Sequence, residues 1–129
     1  MKRVTGIGGV FFKCKDREAQ KNWYTNHLGF DIQSWGGTSF WWRDVENAEK
    51  KCATVWSMFG DDSKYYEPSK KDFMFNYRVE NLEELLKLLK EEGVEQVGEV
   101  ETLEYGKFAW IMDPEGNKIE LWEAVDEKL

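Results

Sequence analysis

Few side chains in this sequence have the type and placement for chemistry. Glu120 is the one candidate for acid–base work, with a structural salt bridge to Arg78 or Lys118 as its competing role. Lys13 and Arg78 fall near strand ends, where they either bind a carboxylate or phosphate or are simply solvated. His27 is the only histidine, which excludes His-dyad chemistry, and its place near the end of a helix suits a cation beside the helix dipole. No Ser-His-Asp, Cys-His or phosphate-loop arrangement is present. Cys14 and Cys52 are the only cysteines, too few for a disulfide scaffold or a cysteine-rich zinc site. They read as buried apolar thiols on opposite faces of one sheet, which should not pair.

The bulk properties narrow the partners. With 18 basic and 25 acidic side chains the net charge is −7, which argues against nucleic acid and anionic membranes. The charge is uneven: residues 1–79 hold 13 basic and 10 acidic groups, residues 80–129 hold 5 and 15. A chain of 129 residues with 41% hydrophobic and 33% charged residues is globular and suits one compact domain. No apolar run approaches the roughly 20 residues of a membrane span, and no signal segment precedes the first strand-like run, so the chain reads as cytoplasmic. Seven tryptophans exceed what a core this small can enclose, so some are expected to line a groove or an interface.

The elements that must position these residues alternate. Residues 7–14 read as a strand, followed by a helix over about 17–27 with Asp16 as N-cap, the stripe Ala19, Trp23, Tyr24 and Leu28, and Gly29 as its left-handed stop. Strands are expected at about 30–35, 38–43 and 52–59, with Gly36-Gly37 turning between the first two. Residues 60–72 are polar and turn-rich, a linker carrying Tyr65, Tyr66 and Pro68. A strand at 73–79 leads to a second helix, capped by Asn81 with Glu84, striped by Leu82, Leu85, Leu86 and Leu89, and ended by Gly93. Strands at about 94–100, 106–112 and 118–123 follow, the last two joined by the Asp113-Pro114-Glu115-Gly116-Asn117 turn.

The two halves repeat. Phe12-Lys13-Cys14-Lys15-Asp16 and Tyr77-Arg78-Val79-Glu80-Asn81 match in character 65 residues apart, and Gly29 and Gly93 end the two helices at an offset of 64. This is a βαβββ unit written twice. With Trp23-Tyr24-Thr25-Asn26-His27-Leu28-Gly29-Phe30 and the closing hairpin from Tyr105 to Leu121, it resembles the vicinal oxygen chelate superfamily of glyoxalases, bleomycin resistance proteins and extradiol dioxygenases. The resemblance implies an α+β fold in which two tandem modules, about 5–59 and 73–124, form a cup-shaped mixed sheet within one domain, 5–124.

In metal-using members of that superfamily four ligands, typically His, Glu, His and Glu, project into the cup. Carried onto this chain, those positions fall at Gly9, Trp56, Met74 and Glu120. Three of the four are unsuited to a divalent ion, so no metal and no other cofactor is expected. Strand alternation from these positions gives Phe11, Trp56, Met74 and Trp122 as the expected cup wall, with Asn76 and Glu120 as polar groups; Trp110 joins them because its strand is apolar on both faces, one for the core and one for the cup. Glu120 there would be desolvated beside Trp56 and Met74. Tyr65 and Tyr66 either cover the cup mouth or anchor the linker. Phe40-Trp41-Trp42 is apolar on both strand faces, which fits the homodimers common among family members of this length. Three functions remain open: metal-free binding of an aromatic or amphipathic small molecule, an enzyme using Glu120 or a relocated metal, and a ligand-free structural or regulatory dimer.

Overall fold

The computed structural model describes residues 2–129. Seven strands form one mixed sheet: β1 (Val4–Cys14), β2 (Gly37–Arg43), β3 (Lys51–Gly60), β4 (Phe73–Val79), β5 (Glu101–Leu103), β6 (Gly106–Met112) and β7 (Lys118–Ala124). Their order across the sheet is β2-β3-β1-β4-β7-β6-β5. Helices α1 (Arg17–Leu28) and α2 (Leu82–Glu91) cover one face, and a 3₁₀ turn (Asp126–Lys128) follows β7. No helix among the described residues is long and apolar enough to cross a membrane.

The internal repeat is visible in the strand ladder. β1 and β4 run antiparallel at the centre, and Val10, whose counterpart 65 positions on is Phe75, pairs with Phe75 itself. The approximate twofold axis therefore passes between these two residues. On either side of it β1 pairs in parallel with β3, and β4 in parallel with β7.

Both helices start as their sequences dictate. The side chain of Asp16 accepts from the Ala19 amide at 3.0 Å and that of Asn81 accepts from Glu84 at 3.1 Å, filling donors that a helix start leaves bare. Gly29 and Gly93 take φ of +69° and +81°, where a side chain would be strained. α2 buries Leu82 and Leu85 against Val79, Ala109 and Leu121. α1 is weaker: none of its residues is buried, and Trp23 and Leu28 of the expected stripe are about half exposed. Tyr24 is its anchor, packed at 4.8 Å from the Trp56 ring and 5.1 Å from Phe30.

Two expected strands do not form. Residues 30–35 make a local turn instead, with Gln33 N–H donating to Gly37 and Gly36 N–H donating back to Gln33, while Phe30 and Ile32 pack into the α1 side of the core. The stretch 94–100 is reduced to a single bridge, Gln96 with Ile111, because Gly98 at φ +73° breaks the extended run before β5. Cys14 and Cys52 are free and buried. They lie far apart along the sheet: Cys14 pairs with Gly60 at one end of β3, and Cys52 lies near the other end beside Trp42.

Candidate functional site

A cavity of about 540 Å³ lies on the sheet face opposite the helices, and every strand contributes to its lining. A sheet whose two edges reach one cavity must curve around it. Phe11 from β1, Val55 from β3, Phe108 and Trp110 from β6 and Trp122 from β7 supply apolar wall; Asn76 from β4 and Glu120 from β7 are the polar centre.

The ladder places Asn76 directly beside Glu120. Glu120 is 3% exposed and accepts three hydrogen bonds: Asn76 Nδ2 to Oε1 at 2.7 Å, Trp110 Nε1 to Oε2 at 2.9 Å, and the Tyr65 hydroxyl to Oε2 at 2.5 Å. A carboxylate has about four acceptor sites, so this one is nearly saturated. The expected pairing with Arg78 or Lys118 is replaced by three neutral donors.

Asn76 is left with an unmet need. It is 2% exposed, its Nδ2 is committed to Glu120, and its Oδ1 has no partner within the protein. The amide cannot turn over to relieve this, because the group facing it accepts and does not donate. A Cβ at Gly8 would collide with Asn76 Oδ1, so only glycine leaves space there. Gly8 and Asn76 both line the cavity, so the residue that carries this buried, unsatisfied acceptor belongs to its wall.

Tyr65 is the residue that spacing and alternation did not single out as a partner of Glu120. It comes from the 60–72 connection, where no periodicity marks an inward side chain. Three contacts seat it: the bond to Glu120, a stack on Phe59 at 5.5 Å, and Lys118 Nζ donating to its carbonyl at 2.7 Å. Burial and the Glu120 charge push its phenol well above the ordinary range, so it stays a donor. Burial also lowers the Lys118 ammonium, which lies over the Tyr65 and Trp110 rings. Tyr66 is fully buried with Phe11, Met74 and Trp110 and anchors the connection.

Two residues expected in the cup wall lie elsewhere. Trp56 is on the α1 face, ringed by Phe12, Tyr24 and Phe30 at 4.8 to 5.2 Å between ring centres. The cause is register. Phe11 pairs with Ser57 as its counterpart Asn76 pairs with Glu120, so the residue equivalent to Glu120 is Ser57, and Trp56 faces away. Met74 is on the cup side but lies 1% exposed in the cluster with Tyr66, outside the lining. Lys13 sits over the Tyr66 ring, and Arg78, far from being solvated, is 4% exposed and paired with Asp126.

The four superfamily ligand positions therefore read Gly9, Ser57, Met74 and Glu120. Glycine has no donor, a thioether is a poor ligand for hard or borderline ions, and the carboxylate is occupied by three hydrogen bonds. Among the described residues no three His, Cys, Asp or Glu side chains gather as a metal site. The residues present do not fit the divalent ion of metal-using relatives.

The fold agrees with the comparisons. The model for the Glyoxalase/Bleomycin resistance protein/Dioxygenase superfamily matches residues 6–121, and the chain belongs to that superfamily. The comparison with curated proteins gives no match. Among solved structures, methylmalonyl-CoA epimerase from Mycobacterium tuberculosis is similar at 20% identity and a TM-score of 0.60, covering 99% of this chain and 93% of that one. A Streptomyces coelicolor methylmalonyl-CoA epimerase variant in complex with 2-nitronate-propionyl-CoA is similar at 15% identity and 0.67, covering 95% and 99%. A superfamily member from Vibrio splendidus 12B01 is similar at 13% identity and 0.59, covering 91% and 97%. At these identities the likeness establishes the fold alone.

Proposed function

We propose that this chain is a metal-free small-molecule-binding member of its superfamily, and that its ligand is a planar aromatic or amphipathic molecule presenting an N–H or O–H donor to Asn76. The observation that carries this reading is Asn76 Oδ1, buried and without a partner in the wall of the cavity. An unsatisfied buried acceptor costs about 1–3 kcal/mol, which a ligand donor recovers on binding. The volume of about 540 Å³ falls within the usual range for small-molecule sites. Trp110 and Trp122 offer faces and edges for stacking, worth roughly 0.5–1.5 kcal/mol per ring pair beyond burial.

Calorimetric titration with two isosteres tests this. 2-Naphthamide offers a donor where 2-acetylnaphthalene has a methyl group, so the amide should bind about tenfold tighter, and N76A should erase the difference. Equal affinities in the unmodified protein would remove the basis of the proposal. The same reading takes the chain as a homodimer, supported by the half-exposed Phe40 and Trp41 on edge strand β2. Sedimentation velocity reporting a monomer at micromolar concentration would contradict that part.

A further inference from the structure

Arg78 lies one strand repeat from Asn76 on the same face of β4, roughly 7 Å along the chain. Its guanidinium is sandwiched between indoles, 5.5 Å from the Trp42 ring and 5.1 Å from Trp122, and Nη1 donates to the Ala53 carbonyl at 3.2 Å. Glycines make the room: a Cβ at Gly6 would stand 2.7 Å from Trp42, and one at Gly8 would stand 3.0 Å from Arg78 Cγ. The counterion is Asp126, both of whose carboxylate oxygens accept from Nη2 at 2.6 Å.

The two partners are held very differently. Arg78 is fixed by a central strand and two tryptophans. Asp126 belongs to a three-residue 3₁₀ turn with no buried residue, whose backbone is tied to the sheet by Val125 N–H donating to Tyr105 at 3.1 Å. Lys128 and Leu129 of the same strap line the cavity, and Trp122 both lines the cavity and stacks on Arg78. A buried arginine needs a carboxylate, but nothing in this arrangement requires that the carboxylate belong to the protein.

We infer that Arg78 is a carboxylate subsite of the cavity, occupied by the strap residue Asp126, and that an aromatic carboxylate binds by exchanging for it. The inference rests on the cavity being a ligand site and adds an acid group to the ligand class. Asn76 is in the cavity lining, and the Arg78 guanidinium lies one repeat further along β4, behind Trp122 and the strap, so it opens to the cavity only when Asp126 leaves. A tethered carboxylate competes at an effective concentration in the millimolar range. Ligand affinity is lowered by that competition, and strap opening becomes part of binding.

The test compares 2-naphthoate with 2-naphthamide on the unmodified protein and on D126N, which keeps the size and one acceptor for Arg78 but removes the competing charge. D126N should bind the naphthoate about tenfold tighter and the amide unchanged. In the unmodified protein, saturating naphthoate should speed hydrogen exchange at the Val125 and Leu129 amides, whereas the amide ligand should not. An equal gain for both ligands, no gain for the carboxylate, or unchanged exchange under naphthoate overturns the inference. Amide binding without a carboxylate gain overturns it alone; failure of both ligands on both proteins overturns the cavity reading with it.

Discussion

Replacing Glu120 by Gln should invert the polarity of the cavity. The substituted side chain keeps one oxygen and gains an NH₂. Trp110 Nε1 can only donate, so the remaining oxygen must face Trp110 and Tyr65, which turns the new NH₂ toward Asn76 Nδ2. Two donors then oppose each other. The conflict ends if the Asn76 amide rotates by half a turn, letting Oδ1 accept and swinging Nδ2 to the side of Gly8. The alternative, an unpaired Trp110 N–H, costs about 1–3 kcal/mol, so rotation wins. Stability changes little. Three charge-assisted bonds become neutral, a loss of about 1 kcal/mol each, while the desolvation penalty of a buried carboxylate, several kcal/mol, is relieved. The net effect should lie within about 2 kcal/mol by denaturant unfolding. The donor preference should vanish: both probes carry a carbonyl that can accept from the rotated Asn76 Nδ2, so 2-naphthamide should lose its advantage of about ten over 2-acetylnaphthalene. A variant that retains the original preference with its fold intact would refute the coupling of Glu120, Asn76 and ligand.

Other changes separate the two faces of the sheet. W56A removes the centre of the α1-side aromatic cluster and should cost about 3–5 kcal/mol in stability, yet leave ligand affinity unchanged in the folded protein because Trp56 does not reach the cavity. G8A should destabilise by about 1–3 kcal/mol and abolish the amide preference, since its methyl group displaces Asn76 Oδ1; calorimetry and thermal melting read both effects. The Asp113 carboxyl is held below its usual range by the Asn117 side chain and backbone. Its stabilisation of the closing hairpin is therefore present above the unfolded carboxyl's titration and lost as pH falls through the lower folded value, which amide chemical shifts of residues 113–117 in an acid titration should follow.

Much of this arrangement is legible in the chain. The caps Asp16 and Asn81, the left-handed glycines 29 and 93, and the Asp113–Asn117 turn depend on local chemistry, which each residue carries with it. The 65-residue repeat locates the twofold axis, and Asn76 and Glu120 lie together on the cup side. Registers between distant strands are harder to read. Residues 52–56 and 58–59 are nearly all apolar, so β3 shows no alternation to say which face is which, and the offset to β7 is 63 where the helix-ending glycines suggest 64. That one residue moves Trp56 across the sheet. The bond of Tyr65 to Glu120 and that of Asp126 to Arg78 escape the sequence for another reason: both act from irregular segments, where no period points a side chain inward. The exposed α1 stripe shows the opposite limit, since an apolar pattern marks a face without supplying enough partner surface to bury it.

The decisive measurement is a co-crystal structure with 2-naphthamide. The ring system should lie against Trp110 and Trp122, with the ligand N–H donating to Asn76 Oδ1 at about 2.9 Å and the three bonds to Glu120 retained. A ligand bound outside the cavity, or inside it with Asn76 Oδ1 still unpartnered, would show that Asn76 does not recognise the ligand.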